Sequence, residues 1–398
     1  MINFFNDKRL NGKKRKSKAP VIFATSSMLN DLGSDAIKPF WPSFVTSVLG
    51  APAYVLGLLD GIGEAIAYSI RWPAGYLADR FRKKPMVWAG YLMACIARLG
   101  YATSKTFSWL FPFKALDRLG KLRDPARDAM LAKSVSKEER GKAFGLLNAM
   151  DNLGATLGPF FGLLLFIFFS YRITFAIAAI PSLISCLLIL FFIKEKNKMK
   201  LGHKLKKLKK AKVFTKEFKK YVLFTSIFAL SWISISFLLL FGNVKGIEVK
   251  FFPIFLFVSS AVSIISSYSL GKISDKIGRK RAIAFGYSIY SLMLLGFFLF
   301  SFFTLSKILT IFLLLLLFTF YGLSYGTIIT LLPAFAIDLA EKRAAEASGI
   351  VFSFFGFSSL LASTIAGFLW QINYLLTFGF ASLMAILGTI LFLFLKHK

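Results

Sequence analysis

Long apolar stretches, each closed by a short polar or basic one, alternate along nearly the whole chain. Twelve can be marked, at 21–46, 53–75, 85–103, 106–122, 143–168, 173–193, 221–241, 251–271, 283–304, 308–334, 347–370 and 374–395. A helix rising 1.5 Å per residue needs about 20 residues to cross a hydrocarbon core of about 30 Å, and these stretches approach or exceed that length. The pattern predicts an all-α membrane protein of twelve transmembrane helices. It is also a duplication, because Gly75-Tyr-Leu-Ala-Asp79-Arg80 recurs as Gly271-Lys-Ile-Ser-Asp275-Lys276. Each copy ends an apolar stretch and runs into a basic cluster, Arg82-Lys83-Lys84 or Arg279-Lys280-Arg281. Paired sets of hydrophobic helices mark secondary transporters. The expected layout is a basic N-terminal segment 1–20, a six-helix bundle 21–193, a linker 194–220, a pseudo-symmetric second bundle 221–395 and a tail 396–398.

Composition agrees: 56% apolar residues, with 47 Phe among 398 residues, exceed the roughly 45–50% apolar share of soluble domains. A net charge of +31 would suit a nucleic-acid binder, but the positions of the Lys and Arg exclude that partner. With the N-terminus inside, the N-terminal arm, the even loops and the tail hold 39 of the 50, and the outer loops hold five: Lys105, Arg172, Lys245, Lys250 and Lys307. This asymmetry places both termini in the cytoplasm. The first stretch is too long for a signal peptide and carries Asn30, Asp31 and Asp35, so it reads as an uncleaved first helix. Cys95 and Cys186 sit alone in separate stretches, as packing residues. The linker contains 13 Lys, with Leu201, Leu205 and Leu208 at helical spacing. It is either an amphipathic helix on the inner leaflet or a solvated spacer.

Charge inside the membrane is confined to the first half. Asp31 and Asp35 stand one turn apart on the first span, and Asp60 and Glu64 repeat that spacing on the second, followed by Tyr68 and Arg71. Arg98, Lys114, Asp117, Arg118, Asn148, Asp151 and Asn152 lie on the next three spans. A charge at the bilayer centre costs about 2.5–3.5 kcal/mol even on the lenient scale, so these groups should face the bundle interior. Either they are static ion pairs, or some are carboxylates poised between protonation states, as proton coupling requires. His203 and His397 fall in cytoplasmic segments and do not compete for that role. In the second half Phe228, Trp232, Tyr287, Tyr321, Tyr325, Phe354 and Trp370 suit an amphipathic or apolar substrate. No phosphate-binding loop, His-Glu-x-x-His or Cys-x-x-Cys occurs, and no histidine backs a nucleophile, so neither enzyme chemistry nor a metal or cofactor is expected.

Gly75 to Lys84 and Gly271 to Arg281 resemble the repeated loop signature of the major facilitator superfamily, the first copy carrying Arg82 where glycine is usual. The resemblance implies that Gly75, Asp79, Arg80, Lys83, Gly271, Asp275 and Arg279 form gating loops. Asp79 would face the start of span eleven near Ala345, with Asp128 as partner of Arg80 or Lys83; the duller alternative is that the loops serve topology alone. Gly154, Gly158, Pro159 and Gly162 are similar to the family's antiporter signature. Asp117 to Ala129 and Asn30 to Pro42 resemble a prokaryotic subgroup, implying a monomer in the inner membrane. The combined expectation is proton-coupled export of a small organic or amphipathic compound. Asp31, Asp35, Glu64, Asp117, Arg118 and Asp151 would bind protons or substrate. The alternatives are uptake by symport and export of a divalent cation held by membrane carboxylates.

Overall fold

A computed structural model of the chain describes residues 18–70, 80–195, 214–340 and 344–395. Among them every regular element is helical. The α-helices of eight residues or more are, in order, α1 (Ala19–Ile37), α2 (Ala53–Ser69), α3 (Lys83–Thr103), α4 (Leu110–Leu119), α5 (Arg123–Ser134), α6 (Arg140–Phe168), α7 (Tyr171–Ala178) and α8 (Ile180–Phe192). There follow α9 (Lys216–Ala229), α10 (Ile235–Val244), α11 (Phe252–Ile277), α12 (Arg279–Phe300), α13 (Lys307–Ala340), α14 (Ala344–Ile372) and α15 (Tyr374–Leu393). Among the described residues seven stretches are long and apolar enough to cross a membrane: Arg140–Phe168, Tyr171–Phe192, Val249–Ile277, Arg279–Phe300, Lys307–Ala340, Glu346–Ile372 and Tyr374–Leu393. Over the described residues the other expected spans are charged or interrupted. Arg71, Gly75, Asp79 and the linker core from 196 to 213 lie outside the described residues.

Two of the interruptions matter for function. The fourth span was expected to end at residue 122, but after a 3-10 turn at Gly120–Leu122 the chain continues as α5 to Ser134. Arg123, Asp124, Arg127, Asp128 and Lys133 make that helix read as a loop, yet Arg123 and Arg127 are buried. The seventh span breaks between α9 and α10, where Ser234 caps α10 by accepting a hydrogen bond from the Ser236 backbone.

The chain divides into two compact units, one of residues 1–38, 70–104 and 112–212, the other of 39–69, 105–111 and 213–398. The first unit is built around α1 and α6. A Cβ on Gly154 would strike the carbonyl of Met28, one on Gly158 the Cβ of Asp35, and one on Gly162 the carbonyl of Ala36. Three small residues four apart thus let the two backbones touch, as in membrane helix pairs generally.

In the second unit α2 packs along α14 by the same device. Gly57 and Gly61 meet Ser363 and Leu360, while Gly356 and Gly367 meet Tyr68 and Tyr54. Tyr54 stacks on Phe368 at 4.9 Å and Tyr68 on Phe352 at 5.5 Å. Between α9 and α12, Phe228 stacks on Tyr287 at 3.6 Å, and Trp232, inside the break of the seventh span, stacks on Tyr290 at 4.7 Å.

Candidate functional site

In the first unit α1, α3, α4, the 3-10 turn, Arg123 of α5 and α6 enclose a cavity of about 200 Å³. Asp31, Asp35, Asp117 and Arg118, all singled out in the sequence, line it together with Lys38, Arg98, Lys121 and Arg123. Asp35 is buried and pairs with Lys38 at 2.5 Å. Asp117 lies 3.7 Å from its neighbour Arg118. Asp31 accepts a hydrogen bond from Asn30 at 3.1 Å and makes no ion pair among the described residues.

The cavity wall is fixed by arginines. Arg98, 2% exposed, donates to the carbonyl of Asn30 at 3.0 Å, to the side chain of Asn30 at 3.3 Å, to the carbonyl of Ala178 at 3.3 Å and to Ser182. One guanidinium therefore holds α1, α3, α7 and α8 in register, a task its planar fork of donors suits. Arg123 donates to the carbonyl of Gly120 at 3.0 Å, lies 3.6 Å from Asp124 and sits over the Tyr91 ring at 4.7 Å. Arg127 reaches Ser27 at 2.6 Å, Asp128 at 3.1 Å and Asp151 at 3.7 Å. Asp151 thus joins the cavity network through Arg127 without lining the cavity. Arg123 and Arg127 enter the sequence reading only within the Asp117–Ala129 stretch, with no site role; their i, i+4 spacing, matched by Asp124 and Asp128, is the signal for one.

Glu64 falls in the second unit, whereas the other expected coupling residues fall in the first. Its helix also carries Asp60, which the second unit buries. Asp60 accepts hydrogen bonds from Trp41 at 2.9 Å, Ser234 at 2.7 Å and Ser236 at 2.6 Å. The broken seventh span thus points the N-terminus of α10 at a carboxylate, the end of a helix that favours negative charge. Of the aromatic wall, Phe228, Trp232 and Tyr287 are buried in the second unit, whereas Phe354 is exposed.

The two loop copies differ. In the second, Gly278 turns the chain from α11 to α12 with φ +92°, a conformation that glycine adopts freely. Arg279 then lies 2.6 Å from Asp338 and 3.9 Å from Asp275. In the first, Arg82 has extended backbone at φ −63° and ψ 127°, so no glycine is needed. Glu195 accepts hydrogen bonds from the backbone of Lys83 at 3.0 Å and Lys84 at 3.2 Å. Arg80 is exposed, and Asp128 engages Arg127.

The sequence profile of the Major Facilitator Superfamily matches residues 23–345. The chain belongs to this superfamily. A facilitator relative, an uncharacterized MFS-type transporter of Methanocaldococcus jannaschii, is 34% identical over 395 residues, covering 95% of each chain. Multidrug resistance protein 2 of Bacillus subtilis is 26% identical over 395 residues, again covering 95% of each. Among solved structures, the nucleoside transporter NupG superposes with a TM-score of 0.77 at 13% identity, covering 94% of this chain and 99% of that one. The peptide transporter POT gives 0.76 at 14% identity, covering 98% and 96%. At such identities these show a shared facilitator fold. The protein is an integral membrane transporter, not an enzyme, and its substrate is a small molecule.

Proposed function

We propose that the protein exports a small organic compound in exchange for protons by alternating access, with Asp31 as the proton-carrying group. The observation that carries this is the cavity of the first unit: among its three carboxylates, Asp35 and Asp117 have ion-pair partners, and Asp31 has none among the described residues. A carboxylate inside a membrane bundle without a counter-ion is the group that a proton neutralises at least cost. The glycine stripe of α6, pressed on α1 beside Asp35, is consistent with the antiporter signature. The name of the Bacillus relative, a multidrug resistance protein, favours outward transport. A divalent cation finds no group of three carboxylate, His or Cys ligands among the described residues. The reading includes two bundles, 21–193 and 221–395, with both termini and the linker in the cytoplasm.

Proteoliposomes holding a pH-sensitive dye test the reading. Under an imposed pH gradient, members of a panel of organic compounds should move against the proton flow, each addition provoking a dye response that empty liposomes lack. Transport that ignores the gradient, or a proton flux in the same direction as the substrate, would overturn it.

A further inference from the structure

The cavity also says what kind of compound fits, an inference that rests on the transport reading above. Most charged groups of its wall have a partner. Asp35 is taken by Lys38, and Asp117 lies beside Arg118. The donors of Arg98 go to Asn30, Ala178 and Ser182. Arg123 is engaged by Gly120, Asp124 and Tyr91. Two groups remain. Asp31 has the Asn30 amide and no ion pair among the described residues. Lys121, half-buried on the 3-10 turn, has neither a hydrogen bond nor an ion pair among the described residues, although it lines the same cavity.

One acid and one base, opposite in sign and each without an ion pair among the described residues, thus face a single small space. We propose that the substrate is a small zwitterion, its cationic group received by Asp31 and its acidic group by Lys121. Charged groups at this depth are costly unless paired or hydrated. A compound that is only a cation leaves Lys121 unanswered, in a lining that already holds five bases, Lys38, Arg98, Arg118, Lys121 and Arg123, against three carboxylates. A compound that is only an anion leaves Asp31 unanswered. The zwitterion answers both. It also supplies the coupling, because a proton on Asp31 removes the charge that holds the cationic group. Proton and substrate then exclude one another, as exchange requires; partners that bind together would be carried together.

Matched triads test the inference on purified full-length protein in nanodiscs: phenylalanine, 2-phenylethylamine and 3-phenylpropionate, then 4-aminobutyrate, butylamine and butyrate. The readout is the rise in melting temperature at millimolar ligand, since whatever binds the folded state stabilises it. In at least one triad the zwitterion should bind about tenfold or more tighter than either half-charged analogue, the loss of one pair amounting to about 1.4 kcal/mol. Lys121→Met should make zwitterion and amine equal, while Lys121→Arg should keep the preference. Asp31→Asn should make zwitterion and acid equal. Amines binding as tightly as zwitterions to the wild type, or no zwitterion binding at all, would sink the proposal. The proton-exchange reading fails separately. An amine that drives proton exchange spares exchange and removes the zwitterion, whereas zwitterions that bind without moving protons do the reverse.

Discussion

At the scale of single residues the first unit separates groups that hold the wall from groups that act at it. Asp31→Asn should abolish accumulation driven by a pH gradient and leave exchange between equal pools of substrate running; gradient-driven accumulation at the wild-type rate in this variant would make Asp31 a structural residue. Arg98 belongs to the wall. Arg98→Met deprives Asn30, Ser182 and the Ala178 carbonyl of their donor, and with charge-assisted bonds worth about 1.5–3 kcal/mol each, a large drop in thermal stability is expected. Arg98→Lys should restore only part of it, since an ammonium lacks the fork that spans three helices. Unfolding followed by intrinsic fluorescence in detergent checks both. Asp31, Asp35, Asp117 and Arg118 were legible as site residues because a charge within an apolar run stands out. Arg123 and Arg127 were not, because they sit in a run polar enough to pass for a loop.

Two contacts decide the behaviour of whole elements. Gly158 of α6 lies against Asp35 of α1, so Gly158→Leu should force the helices apart and disturb the Asp35–Lys38 pair. Transport should fall by tenfold or more while an analogous change at Gly141, whose added Cβ would meet nothing within 4 Å, leaves it intact. The order of these two effects, measured as initial rates at equal expression, checks the assignment. In the second unit Asp60 ties α2 to the start of α10. Asp60→Ala leaves two buried serine hydroxyls and the Trp41 indole N–H without their acceptor, at about 1–3 kcal/mol for each group left unsatisfied. A spin-label distance from α2 to α10 should broaden in this variant; an unchanged distribution would show that the glycine and aromatic packing against α14 alone holds α2. Asp60 was legible as an acidic residue on the stripe with Glu64, but its partners were not. They come from a break in a helix that hydropathy reads as continuous.

For the whole molecule, orientation and a loop ion pair give the remaining tests. With Cys95 and Cys186 replaced, Lys204→Cys in the linker should resist an impermeant reagent applied to intact cells and react once the membrane is opened. Ready labelling from outside would reverse the topology. On the opposite side of the proposed topology Glu248 accepts hydrogen bonds from Lys250 and Lys307 at distances of 2.7 and 3.1 Å. These hydrogen bonds hold its carboxyl below the usual glutamate range. A carboxyl depressed in the folded state contributes stability above its unfolded value, near 4.5, and loses it as pH falls through the folded value. Lys307→Met should therefore move the Glu248 titration, read by carbon NMR, back towards ordinary glutamate; an unmoved titration would mean that the bridge is not formed in solution.

The alternation of apolar runs with basic loops, together with the repeated glycine-aspartate-basic motif, determined by itself that this is a helical membrane transporter. Those features are local: length and composition decide whether a segment enters lipid, and short spacings decide which residues share a helix face. Which charges meet was beyond that reach. That Asp35 spends its charge on Lys38 while Asp31 and Lys121 are left facing a cavity depends on α1, α3, α4 and α6 closing around one space. The burial of Arg127 between Ser27 and Asp151, and the capture of Asp60 by Ser234 and Ser236, depend equally on helices distant in sequence. A pairing between distant segments is set by three-dimensional packing, and no periodicity within a single helix encodes it.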